Sequence, residues 1–360
     1  MRPPVALLFV SLLASCGSRS GLSTSDEAGS ASGGSSGGAA TGGASSGGAG
    51  GSDAQAGLCP PGSPPVVLVG EAHDAYGIAL DASHVYFTRA PSSGSGLVQR
   101  VPKTGGAVET LAAGQSRPRS LVVDQTHVYF TTPTSGEVKR VRKDGAALTV
   151  LASFQNFPEG IAVAGSWLFW VRSSAPGGKL MRLALPDGQP EVLVDGINDA
   201  WALAEHSGWL YYTAGSTSTS VSPRIQRFGA SWSPGTPPET LALIDLGMHA
   251  LAVDATHVYY STNPDLGRVA KAGGAPVTLF GGGFFVRGVY AAAAHVYFVE
   301  SAGAGAPEGA VHRYDKTSGQ LETIATAQHV PRAVAADTDC VYWTNSGFQS
   351  AGGSVMRGPR

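Results

Sequence analysis

The order of apolar and polar positions repeats along the chain. A small residue and an aliphatic one open a short apolar run. A polar turn follows, and a second run ends in aromatic and hydroxyl side chains. The clearest copy is Pro331 to Asn345, PRAVAADTDCVYWTN, anchored on Val341. Six others centre on Val85, Val128, Leu168, Leu210, Val258 and Val296, with 38 to 48 residues between anchors. Eight before each anchor stands a small residue, seven before it an aliphatic one, and directly after it an aromatic one, from Tyr86 to Tyr342. About thirteen residues further on lies an apolar-x-basic pattern ending in Arg100, Arg140, Arg182, Arg227, Lys271, Arg313 or Arg357. Short runs rich in Val, Tyr and Thr between turn residues predict strands. A period of about 40 residues with several strands per unit predicts propeller blades.

One unit serves for all. In the second, Ser120–Asp124 reads as the inner strand and Asp124-Gln125-Thr126 as a turn closed by side-chain hydrogen bonds. His127–Thr131, Glu137–Val141 and Leu148–Leu151 complete four antiparallel strands. The last copy stops after its third strand, Ser354–Arg357, and Val66–Val69 ahead of the first copy has the fourth-strand pattern. The expectation is an all-β, seven-bladed β-propeller over residues 58–360, its N-terminal strand completing the last blade. A single core this large would be unusual, but a repeat array packs only on its neighbours.

Two segments precede it. Residues 1–15 carry one charge, Arg2, and an apolar run from Val5 to Leu13, too short to span a bilayer. The run ends Leu13-Ala14-Ser15-Cys16, which resembles the bacterial lipobox, so Cys16 is the expected lipidation site. An ordinary secretory signal is the alternative. Residues 17–57 are almost all Gly, Ser, Ala and Thr. They cannot bury enough surface to offset chain entropy and are expected to form a tether spanning about 35 Å. Together these segments predict a lipoprotein of the bacterial cell envelope, on the outer membrane or cell surface, held by its lipid alone.

The 50 Gly and 23 Pro agree with an all-β domain. A net charge of −2 argues against a nucleic-acid partner. Cys16 aside, two thiols remain, Cys59 and Cys340. In a four-stranded blade the second and fourth strands run the same way, which brings both thiols to one face. An exported address permits a disulfide; two free thiols are the alternative.

At Pro331 to Asn345 the repeat resembles the YWTD repeat of lipoprotein-receptor propellers, and it is similar to bacterial TolB-like and streptogramin-lyase-like propellers. The resemblance covers residues 66–357. Only the last copy has Tyr-Trp-Thr, and Asn345 replaces the family's Asp. YWTD propellers have six blades and streptogramin lyases seven. The motif residues build the blade, so the resemblance implies the fold and not an activity.

A residue type present in every unit is expected to be structural. That covers the basic residues of the apolar-x-basic pattern, and His84, His127, His257 and His295, which all precede an anchor. It also covers Asp81, Asp124, Asp254 and Asp337, read as turn formers. One position differs. Nine before the anchors stand Tyr76, Arg119, Glu159, Trp201, His249, Arg287 and Arg332, where the chain enters each inner strand. The longest loops on the same face, Ala214–Pro223 and Ser301–Gly309, join second to third strands. Chemical variety at one repeat position points to a ligand-binding channel mouth; solvation of a channel opening is the alternative. Three Arg against one Glu favour an anionic ligand. Within residues 58–360 no G-x-S-x-G, H-E-x-x-H, C-x-x-C or phosphate-loop pattern occurs, and neither cofactor nor metal is expected. The reading is a monomeric, non-catalytic module that binds a ligand or protein. The alternative is a lyase or lactonase-like hydrolase using His249 and Glu159 for acid–base chemistry.

Overall fold

The computed structural model describes residues 58–360 apart from 93–94, 175–176, 216–221, 230–236, 246, 282–283, 303–308 and 348–351. The expected signal, Cys16 and the tether lie outside the described residues, as does most of the two long loops.

Seven four-stranded antiparallel sheets make up the domain. Blade one pairs β2 (Ala75–Leu80), β3 (His84–Arg89), β4 (Gly96–Pro102) and β5 (Glu109–Gln115) in chain order. Blade two, β6 (Leu121–Val123) to β9 (Thr149–Ala152), overlaps all four strands expected there. Blade seven is β26 (Pro331–Ala336), β27 (Cys340–Asn345) and β28 (Ser354–Pro359), completed by β1 (Val66–Val69) with Val66 opposite Arg357. Cys59 and Cys340 are bonded, their Cα atoms 5.5 Å apart.

The core is a set of layers between blades. Tyr86, Val98 and Leu111 of blade one meet Val128, Phe130 and Val141 of blade two, while Val85 and Phe87 turn the other way, onto Tyr342 and Val355 of blade seven. Seven such clusters fill the seven interfaces. Each second strand is therefore buried on both faces and reads as a continuous apolar run.

On the far face four of the seven blades carry the same Asp turn, at Asp81, Asp124, Asp254 and Asp337. Asp81 accepts from the amides of Ser83 (2.9 Å) and His84 (2.8 Å) and from the Tyr86 hydroxyl (2.7 Å). Lys143 of the next blade reaches the same carboxylate at 2.7 Å. Lys316 bridges to Asp254 and Lys103 to Asp337 in the same way. Burial alone would raise the Asp81 carboxyl, but Lys143, Tyr86 and the two amides hold it well below the ordinary carboxylate range. All four recurring Asp residues close their turns, and Asp81, Asp254 and Asp337 also staple neighbouring blades together, whereas Asp124, among the described residues, bonds only within its own blade.

Register corrects one assignment. Arg100, Arg140, Arg182, Arg227, Arg313 and Arg357 each lie opposite the aromatic residue after an anchor. In blade five that place belongs to Arg268, opposite Tyr259, and not to Lys271. Lys271 sits in the following turn and reaches His206 at 3.1 Å. Leu266-Gly267-Arg268 and Val269-Ala270-Lys271 both fit apolar-x-basic, three residues apart, and only the strand register separates them.

Candidate functional site

Each inner strand starts at the face where second strands end, and the seven variable side chains meet there. The Tyr76 ring lies under two guanidinium groups, Arg119 at 5.3 Å and Arg332 at 5.5 Å from its centroid. Arg119 donates to Glu159 Oε1 at 2.7 Å. The neighbouring Gly160 amide donates to the Trp201 carbonyl at 3.0 Å. The Trp201 and His249 rings lie 6.3 Å apart. Arg287 neighbours both His249 and Arg332 closely enough for its charge to act on each or be acted on in turn. Side-chain contacts thus join Arg332, Tyr76, Arg119 and Glu159, and Trp201 with His249, while Arg287 acts on its neighbours through charge.

Backbone chemistry fixes these positions. Three residues after an anchor stands Thr88, Thr131, Thr213, Ser261 or Thr344. Thr88 Oγ1 accepts from the Gly77 amide (2.9 Å) and donates to the Arg119 carbonyl of the next blade (2.8 Å). Thr344 donates likewise to the Tyr76 carbonyl and Thr131 to that of Glu159. One hydroxyl thus joins two inner strands and sets where the variable side chain departs. The glycines beside Tyr76 and Arg287 have their reason here. A Cβ on Gly77 would fall 2.3 Å from the Arg119 carbonyl oxygen, and one on Gly288 2.8 Å from that of Arg332. Val171 and Val299 replace the hydroxyl in blades three and six; in blade three the Gly160 amide bonds the next strand directly.

Electrostatics divides the ring. Glu159 is buried, and that burial pushes its carboxyl up to about 7 against the pull of Arg119 and Arg117. His249 hydrogen-bonds Asn263 at 3.1 Å; crowding first, then Arg287, lowers its imidazole pKa. Burial also lowers Arg287 and Arg332, and Arg332 adds its repulsion to Arg287. Arg332 donates through Nε to Ser346 Oγ at 3.2 Å, and Arg287 packs on the Phe285 ring at 4.9 Å. No carboxylate pairs with either among the described residues. No group of metal-ligating side chains occurs among them either.

Tyr76 is the ring member that Arg119 and Arg332 both pack on. Glu159 and His249 do not touch; Trp201 of the blade between them separates them in the ring.

No family model matches the chain, and no curated protein matches it. Among solved structures it is similar to virginiamycin B lyase from Staphylococcus aureus, at 13% identity and TM-score 0.63, covering 81% of this chain and 97% of that one. A puromycin-hydrolysing peptidase from Mycobacterium tuberculosis matches at 12% identity and TM-score 0.60, covering 82% of this chain and 54% of that one. A chain of the nidogen–laminin complex matches at 19% identity and TM-score 0.53, covering 67% and 93%. At these identities the likeness is one of fold, and the fold is shared by enzymes and binding proteins alike.

Sequence reading missed a second variable position, eleven before the anchors. Asp74, Arg117, Phe157, Asp199 and Val330 occupy it with φ between 51° and 60°. Left-handed backbone is rare for residues other than glycine, and for the β-branched Val330 especially so. These residues form the rim just outside the ring. Arg117 is close enough to act on both Glu159 and Arg332. Phe157 is 59% exposed beside Glu159, and Trp201 in the next blade is 37% exposed. The signal was present as chemical variety at a fixed repeat offset.

Proposed function

We propose that the chain is an envelope-anchored, non-catalytic binding module whose mouth takes an anionic ligand. The observation that carries the reading is the pair Arg287 and Arg332: neighbouring, partly buried, repelling, and in no ion pair among the described residues, with Asp74 the one carboxylate whose charge acts on Arg332. Like charges so placed cost stability until a counter-charge arrives. An arriving anion gains two guanidinium groups already held in place by Phe285, Tyr76 and Ser346.

Two experiments test this. Cys16→Ser is expected to move the protein from the membrane to the soluble fraction; continued membrane retention would count against the anchor. Binding of any anion found in a ligand screen is expected to fall about tenfold or more on Arg287→Ala or Arg332→Ala. Substitution of His84 or His127 on the far face should leave it unchanged, and the reverse pattern would assign the working face to the other side.

One observation favours the second reading, a lyase or hydrolase. A carboxyl that titrates near 7, as burial makes Glu159 do, suits general acid–base catalysis. Turnover of a lactone or other cyclic ester, lost in Glu159→Gln and His249→Ala, would establish it in place of the binding module.

A further inference from the structure

Building on the anion-binding reading, we propose that Arg117, Arg287 and Arg332 form a site for a phosphomonoester group rather than for a carboxylate. The ring itself shows what one carboxylate satisfies: the single short contact of Glu159 goes to Arg119. Three guanidinium groups remain beside that pair. They come from three places, the loop before blade two and the starts of blades six and seven. Arg332 lies close enough for its charge to act on Arg287, and Arg117 close enough to act on Arg332. A carboxylate presents two oxygens in one plane and matches one guanidinium fork. A phosphomonoester presents three oxygens in a tetrahedral spread and close to two negative charges at neutral pH.

The donor inventory agrees. The Nε–H groups of Arg117 and Arg287 are buried and have no hydrogen-bond partner in the protein. A buried donor left unpaired carries its full desolvation cost, and each guanidinium has five N–H groups to place. Arg332 keeps its η nitrogens, since Ser346 engages only Nε. The side chains are held in place: Arg332 lies over Tyr76 and Arg287 over Phe285. A group that arrives loses little by ordering them. Three neighbouring positive charges, offset at Arg332 only by Asp74, are better matched by two negative charges than by one.

Phenyl phosphate and benzoate put the same ring on the two kinds of anion. In titration calorimetry with the full chain, at pH 7.5 and fixed ionic strength, phenyl phosphate is expected to bind at least tenfold more tightly than benzoate. Arg117→Ala, Arg287→Ala and Arg332→Ala should each weaken phenyl phosphate about tenfold or more. Arg100→Ala, whose guanidinium pairs with Glu109 on the outer strands, should leave it unchanged, and thermal melts confirm that each variant is folded. Vesicles containing phosphatidic acid form a second arm. Arginine-dependent binding to vesicles but not to phenyl phosphate would support the same group carried on a lipid. Equal affinity for benzoate and phenyl phosphate, lost together in Arg287→Ala, overturns the phosphate assignment and leaves the anion reading standing. Binding of no probe, or binding indifferent to all three arginines, overturns both.

Discussion

Loss of the Cys59–Cys340 bond should open the ring at one place. The bond spans 281 positions, nearly the whole propeller. Loop-closure entropy for a loop of that length gives about 5–6 kcal/mol at 25 °C. The strand it retains is weakly held on its own: β1 has four residues, and Val66 and Val67 are 45% and 56% exposed. Both sulfurs lie in the layer between blades seven and one, against Val85, Phe87 and Tyr342. The double variant Cys59→Ala/Cys340→Ala keeps that layer apolar, so the crosslink is the main thing lost. We expect it to lose about 3–5 kcal/mol in urea unfolding followed by tryptophan fluorescence, with Trp343 of blade seven as a local reporter. Reduced parent protein should behave like the variant. Hydrogen exchange should show the amides of β1 and the facing edge of β28 losing protection first, while blades two to five keep theirs. A variant within about 1 kcal/mol of the parent, with β1 still protected, would refute the reasoning. It would mean that strand pairing and interblade packing close the ring without the crosslink.

Glu159→Gln isolates a pH effect. The native carboxyl holds its proton up to about 7, against an ordinary value of 4.5. Between those pH values the native state binds the extra proton, so this group's contribution to stability is full below 4.5 and falls as pH rises to 7. The parent-minus-variant stability difference should therefore shrink over that range, by at most about 3 kcal/mol; a difference that grows with pH in denaturant titrations would show that Arg119 overrides burial. Thr88→Val should cost about 1–3 kcal/mol, because the Gly77 amide and the Arg119 carbonyl both lose a partner. An unchanged melting profile would mean that the two inner strands close up and pair directly, as blades three and four do at Gly160 and Trp201. Deleting residues 58–70 should abolish cooperative unfolding while deleting 17–57 leaves it intact, and equal stability of the two deletions would contradict closure by β1.

The repeat made most of the architecture legible. Seven anchors, a fixed aromatic neighbour and a missing last strand were enough for blade count, closure and the disulfide partner. Periodicity reports local structure, and in a propeller each contact is with the next blade, so local pattern and global packing coincide. The ring of seven was legible for a related reason: a position that varies inside a uniform array stands out. Pattern alone placed Lys271 wrongly, because Leu266-Gly267-Arg268 and Val269-Ala270-Lys271 satisfy the same short motif three residues apart, and only strand pairing fixes Arg268 as the match.

The sequence by itself determined the seven-bladed ring, its closing strand and the face on which variable side chains gather. Tertiary structure alone decided which of those side chains are partners. Arg119 is committed to Glu159, while Arg287 and Arg332 are not. Tyr76 lies beneath two arginines, Trp201 stands between Glu159 and His249, and Arg117 joins from a neighbouring repeat position. These relations join residues that are far apart in the chain and adjacent around the ring. Their distances follow from blade-to-blade packing and the hydroxyl links between inner strands. Charge pairing depends on separation and burial, and neither is written in the order of residues.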